Sequence, residues 1–504
     1  MTKKRKKVVI MGGGTAGLVI ANSIHEYFDV IIIEKSKYKK YPIWYKIPLF
    51  IGLLLRRKET KYISKRNFVL TDGRHIPFFE SNLLGGASVI NGCVHMLGSK
   101  LQWDAILNKF NSNYVDLINS YKDLHSFDTK NINKISLTTA CQNSIDEAFI
   151  NALEAQDIHI GNMDYSNEQA CGPVLNTTKK YFRASVLSLI TKKYFKNYMG
   201  ESVENVLFND SGEVIGVKTN KRVIDSDYVI LSGGVIGTCG LLLREKNNRT
   251  MNSPLNNLIV GNNVQDHTNL RINVLTNKSI DSLNEISDSF YKKLLLVVKH
   301  FSGRTTLMKG TGATSAAHLD LDGDGEVDTR IQIVQFSESG RLGSDGKLFS
   351  TSKPGFSISI TTIKPLSKGK VELDGASNIV NPMYLSKKED IELLKLSLTF
   401  CLKLLKSDVM SKNILKIEDE SEIINNPEKY IFKNFYSGYH LIGGSHDAIN
   451  SNFKIHNTKG FYVCDASIFN KYAASNIHSS VVLIANIFAN KFINQNFHCL
   501  EERN

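Results

Sequence analysis

The 504-residue chain carries 62 lysines and arginines against 49 acids, a formal net charge of +13, with 42% hydrophobic residues and 35 glycines against 9 prolines. That length exceeds one ordinary core and implies two domains, or one nucleotide domain with a large insertion. Basic residues are spread along the chain apart from the run 3–7, which reads as a solubilising arm, so anionic partners are favoured and nucleic-acid binding is not indicated.

Taken in chain order, Val8 to Met11 is a continuous apolar run, the pattern of a strand buried on both faces. It feeds Gly12-Gly-Gly14-Thr15-Ala16-Gly17, then a helical segment from Leu18 to Ile24, then a second apolar run from Val30 to Ile33 that ends in Glu34. Glycines stand where this β–turn–α–β unit needs a tight turn (Gly12), close approach to a pyrophosphate (Gly14) and close helix–strand packing (Gly17). The helix start at Thr15 and Ala16 offers N–H groups and a positive dipole end to phosphates. Glu34 is placed to accept ribose hydroxyls and disfavours a 2′-phosphate. The fingerprint by itself leaves NAD and FAD open. Ile43 to Leu55, followed by Arg56 and Arg57, is too short to span a bilayer. It reads as a buried loop and helix; a peripheral membrane contact through 43–57, or a lid, is the alternative.

Leu83 to Gly98 contains Gly85-Gly86-Ala87-Ser88-Val-Ile-Asn91-Gly92-Cys-Val94-His95, followed by Trp103-Asp104. Such a density of small residues lets backbone pass against a flat ligand. This segment resembles the first signature of the glucose–methanol–choline (GMC) family of flavoenzymes, with Ala87 for the family's first serine and Leu97-Gly98 for its Arg-Gly. The likeness continues in order through Arg183-Ala-Ser185, a two-stranded segment from Ser202 to Val217 turning at Asn209 to Gly212, and Tyr228 to Gly237. Gly261-Asn-Asn-Val-Gln-Asp-His267 is similar to a further family element. Thr238 to Glu245 departs from the second signature. The resemblance covers 7–36, 83–104, 183–267 and 433–490 well, and 268–432 poorly.

It implies an α/β fold: a Rossmann-type FAD-binding domain formed by 1–40, 80–110, 180–268 and 456–504. A discontinuous α+β substrate domain built on an antiparallel sheet would take 111–179 and 269–455. It also implies FAD contacts from Gly86, Ser88, Asn91, Gly92, Val94 and Val203, and from Asp465, Ala466, Asn476 and His478 near the C-terminus. Phe461 to Cys464 reads as a strand with Asp465 at its carboxyl end, where ligands of open α/β sheets bind. Ser479 to Phe492 has helical periodicity, with its positive end toward the flavin.

His440, in His440-Leu-Ile-Gly-Gly-Ser445, and Asn476 fall where the family places its catalytic pair. They give this chain the look of the His/Asn subset that includes cholesterol oxidases. The chemistry suits the pair, because an alcohol releases hydride only as its O–H proton leaves. Imidazole takes that proton, and an amide donates to the oxygen. His478 is the alternative base, His446 and His456 are bystanders, and His95 and His267 read as structural. Asp320 to Gly325 has acids at calcium-loop positions one, three and five, but Ile331 stands at the twelfth. A tight turn between strands is the preferred reading, and no metal is expected. Residues 268–432 alternate strand-like runs with a helix around Asp390 to Leu405, and no residue there names the substrate.

Seven cysteines at wide spacings form neither a metal-binding pair nor a disulfide framework. With no segment like a secretory signal, a cytoplasmic protein is expected. The function implied is oxidation of a small alcohol, with a sugar or other polyol preferred, by hydride transfer to flavin N5. Oxygen, a quinone or a redox protein is left open as acceptor. A lyase or light-driven decarboxylase, and a nucleotide-binding protein without turnover, are the competing readings.

Overall fold

The computed structural model describes residues 5–498 apart from 41, 56–59, 71–72, 129, 132, 162–168, 191–194, 248–253, 338–352 and 376. Five parallel strands form the nucleotide sheet, in the order Lys196–Met199, Asp29–Glu34, Lys7–Met11, Tyr228–Leu231 and Phe461–Val463. Val8, Val9 and Ile10 are fully buried, as are Val229, Ile230 and Leu231, so the unbroken apolar runs follow from burial on both faces. Helix Thr15–Ile24 packs against helix Ile477–Ile493 over this sheet. The latter is buried almost all round, which accounts for its lack of a polar face. Because the strands are parallel, their carboxyl ends bring Gly12, Glu34, Gly233 and Asp465 to one edge. Beside it, Val203–Phe208 and Val214–Thr219 pair antiparallel around the expected turn, in which Asn209 Oδ1 accepts the Ser211 and Glu213 amides at 3.1 and 2.9 Å.

The second sheet has eight strands. Its main path runs Ile414–Ile417, Thr268–Thr276, Gly355–Thr362, Thr329–Val334, Ala313–Leu319, Ala170–Pro173 and His159–Ile160, with Tyr436–Ser437 also pairing Thr268–Thr276. All pairs are antiparallel except the last of the path. Gly369–Asp374 belongs instead to a small separate sheet with Asn262–Val264 and Ser377–Asn381.

Strand alternation divides the large sheet into two different faces. Phe356, Ile358, Ile360, Ile331 and Ile333 share one, fully buried. Helix Lys388–Leu405 covers it with Leu394, Leu398 and Cys401. Each such aliphatic side chain contributes roughly 1.5–3 kcal/mol. On the other face the register sets His318, Arg330, Thr361 and Asn269 in one row across four strands. All four are buried. This polar row is what the substrate half turns toward the site.

The 43–55 segment forms short 3-10 turns and the helix Ile51–Leu55. Tyr45, Ile51 and Leu54 pack onto Leu83, Val89 and Ile90, while Ile43 and Trp44 are exposed. Arg56 and Arg57 lie outside the described residues, as do Lys3 and Lys4. No helix among the described residues is long and apolar enough to cross a membrane.

Candidate active site

At the carboxyl end of Lys7–Met11 the chain turns so tightly that only glycine fits. Gly12 has φ +103°, and a Cβ there would meet Ser232 O at 2.4 Å. A Cβ on Gly17 would lie 2.0 Å from Gly12 O, so the helix can reach the strand only through glycine. Gly14 contrasts with both: nothing lies within 4 Å of its Cβ position. The helix begins here with no side-chain cap and no acid in its first turn, leaving the Thr15 and Ala16 end open to an anion. Gly86 closes over the turn, its Cβ position 2.9 Å from Gly14 Cα. Ser88 Oγ holds that loop by donating to Gly85 O at 2.7 Å.

Glu34 is buried and accepts the Gly13 and Ser36 amides, each at 2.7 Å. Two carboxylate oxygens have about four acceptor sites between them, so ribose hydroxyls can still be received. Asn91 is clamped by Arg183, whose Nη1 donates to Asn91 O at 2.7 Å and also to its Oδ1. Gly92 O accepts from Thr311 Oγ1 at 3.1 Å, Val94 is paired with Asn176, and Val203 starts its strand two residues after Glu201, whose amide donates to Glu34 O at 3.1 Å. An open glycine cradle, an uncapped helix and a buried acid at the second strand's end fit the extended dinucleotide that the resemblance implies.

Asp465 does local work. Its carboxylate accepts the Gly234 amide at 2.9 Å, the Ser467 amide at 2.8 Å and the Thr238 hydroxyl at 2.5 Å. Thr238, where the second signature departs from the family pattern, thereby ties that helix to the C-terminal strand. Ala466 O accepts the Gly443 amide at 3.1 Å and links this turn to the His440 loop. Gly98 presses on the segment before Asn476, its Cβ position 1.9 Å from Ala473 O.

The structure brings His440 and Asn476 together, with His440 Nε2 3.0 Å from Asn476 Nδ2. The main chain of His440 is fixed at both ends: its N–H donates to Asp266 Oδ1 at 2.7 Å, and its carbonyl accepts from Tyr472 at 2.9 Å. Asp266, fully buried, also accepts from Tyr384 and from Ser437 at 2.5 Å. His440 Nδ1 lies 2.9 Å from His267 Nδ1. Burial first, then the neighbouring His440 and Arg330, holds His267 well below the usual histidine range, so it is neutral. Sequence had marked His267 as structural; in the fold it is hydrogen-bonded to the predicted base.

Arg330 was not singled out from sequence at all. It donates to Asn476 Oδ1, contacts Thr361 Oγ1 at 3.4 Å and is 2% exposed. Burial pulls its guanidinium down to about 10, still a cation at neutral pH. It makes no salt bridge to a carboxylate among the described residues. The only sequence signal was a large charged residue inside the alternating run Arg330-Ile-Gln-Ile-Val. His478, the alternative base, faces away into a buried group with His95 and His125 and is pushed down to about 4 by burial, then by Arg183.

These geometries agree with the comparisons to known proteins. The family described as GMC oxidoreductase matches residues 365–485. A glucose dehydrogenase [FAD, quinone] of Drosophila pseudoobscura pseudoobscura is 21% identical over 95% of this chain and 85% of its own length. An oxygen-dependent choline dehydrogenase of Vibrio vulnificus is 24% identical over 95% and 92%. The crystal structure of a formate oxidase superposes with TM-score 0.84 at 16% identity, covering 98% of this chain and 99% of that one. With the glycine cradle, the polar sheet face and the His440–Asn476 pair in place, residues 365–485 are those of a GMC oxidoreductase, and the likeness to FAD-dependent oxidoreductases runs over 95% of the chain.

Proposed function

We propose that this chain binds FAD and oxidises a CH–OH group of a small alcohol to a carbonyl, with His440 as base and Asn476 holding the substrate oxygen. The observation that carries this reading is the 3.0 Å pairing of His440 Nε2 with Asn476 Nδ2. Bound FAD supplies the two-electron acceptor for the substrate hydride. Arg330 has only donors, so its bond to Asn476 Oδ1 fixes the amide with Nδ2 toward His440. Nδ2 donates, so His440 Nε2 presents a lone pair. The ring proton then sits on Nδ1 and is donated to His267 Nδ1. A hydroxyl placed against both groups gives its proton to Nε2 while its oxygen accepts from Nδ2.

The polar row His318, Arg330, Thr361 and Asn269 suits an oxygen-rich substrate such as a sugar or other polyol. A buried cation beside Asn476 works against a cationic alcohol. Oxygen, a quinone or a redox protein would re-oxidise the flavin. The same proton-taking pair would serve a lyase, and anaerobic flavin bleaching separates the two. A panel of sugars, neutral alcohols and choline is mixed with the oxidised protein without oxygen. Bleaching by a neutral polyol and none by choline is expected. His440→Ala should slow bleaching by about 10²–10⁴-fold with flavin content unchanged. An unaltered rate in that variant would remove His440 from the mechanism.

A further inference from the structure

The hairpin turn between Ala313–Leu319 and Thr329–Val334 contains Asp320-Leu-Asp322-Gly-Asp324-Gly-Glu326-Val-Asp328. Carboxylate oxygens of Asp320, Asp322 and Asp328 converge, one from each lying within 4.8 Å of the others. Convergent acids on a surface turn are common and say little alone. Asp328 adds a separate observation. It is 1% exposed, and its Oδ1 is buried with no hydrogen-bond partner. Its Oδ2 accepts the Leu321 and Asp322 amides at 2.9 and 3.0 Å. The neighbouring Thr329 hydroxyl is engaged with Ser397 Oγ at 3.2 Å. A buried carboxylate oxygen lacking a donor is costly unless a proton or a cation meets it. Lys364 does not: it pairs with Asp324 at 3.3 Å and Glu326 at 3.0 Å. Asp320, Asp322 and Asp328 have no salt bridge among the described residues.

We infer that this turn is a calcium site, with Asp320, Asp322 and Asp328 as its carboxylate ligands. The ligand set is all oxygen, which selects a hard cation over zinc or copper. Asp322 is exposed, so water can complete the shell, and an irregular turn suits calcium better than the strict octahedron of magnesium. Ile331 at the twelfth position removes the usual bidentate acid, which places the affinity near the weak end, about 10⁻⁴–10⁻³ M. The turn leads directly into the strand carrying Arg330. Val327 within it packs on Ile363 and on Ala474, two residues before Asn476. The ion therefore braces the strand that holds Asn476 in place.

The flavin-loaded, full-length protein is dialysed against EGTA, then titrated with CaCl2 or MgCl2 by calorimetry while its melting temperature is followed. One calcium per chain is expected, with a rise of about 1 °C at millimolar calcium and little response to magnesium. Asp322→Asn, at an exposed position, should abolish the response, and Asp324→Asn should retain it. No calcium heat and no thermal shift in the unmodified protein would overturn the assignment. A response that survives in Asp322→Asn would do the same, since the ion would then lie elsewhere.

Discussion

The nucleotide turn and the Arg330 row are both buried polar surfaces, yet they are made from opposite materials. Gly12 to Gly17 presents backbone: N–H groups, a helix end and the empty space over Gly14. The His318–Arg330–Thr361–Asn269 row presents side chains, brought level by antiparallel register across four strands. A backbone site depends on steric gaps and tolerates almost no added atom at a few positions. A side-chain site depends on distant strands meeting in one register, and its members can be exchanged singly without unfolding the sheet. The two should therefore fail differently.

The largest effect belongs to the backbone site. Gly17→Val would drive side-chain atoms into Gly12 O, which already lies 2.0 Å from the Cβ position. No flavin-containing protein is expected from this variant, by absorbance after purification; a normal yellow protein would break the comparison. Gly14→Ala sharpens it. With nothing within 4 Å, the empty protein should melt unchanged while flavin retention falls, because the methyl occupies the space meant for the ligand. Next comes the side-chain site. Arg330→Met should leave flavin bound and slow anaerobic flavin reduction by about 10–100-fold, through loss of the donor that orients Asn476. Arg330→Lys should restore part of that rate. Equal loss in both variants, with flavin also lost, would mean the row is a structural support only.

The same contrast explains what could be read from sequence. The turn, the two strands and Glu34 are local, within thirty residues, and each glycine has a steric reason visible in its spacing. His440 and Asn476 were legible through their flanking motifs, and the fold brings them within hydrogen-bond reach. Arg330 and His267 were not. Arg330 lies 146 residues from Asn476 and His267 lies 173 from His440, and nothing local marks either contact. Asp465 was expected from sequence as a cofactor contact, but its internal hydrogen bonds were not foreseen, and one of the three comes from Thr238, in the stretch where the family likeness breaks down.

Buried histidines give the smallest effect and a test of stability rather than turnover. His125 is 4% exposed, and burial followed by the His478 charge pushes it down to about 3; His95 beside it is held well below the usual range by burial, then His125 and His478. Above pH 6.5 both rings are neutral in the folded and unfolded chains and contribute no pH dependence. Below 6.5 the unfolded chain takes up protons that the folded one refuses, so stability falls with pH. The slope is about 1.4 kcal/mol per pH unit for each histidine until the folded value is approached. Melting temperature should therefore drop continuously from pH 6.5 toward 4.5. His125→Phe keeps an aromatic ring against Tyr121, which His125 now stacks on at 4.8 Å, and removes one titrating group. Its melting curve should lose one histidine's share of that slope. An unchanged slope would show that His125 is protonated in the folded chain, and that the imidazole cluster near the first signature is held by charge rather than by exclusion of water.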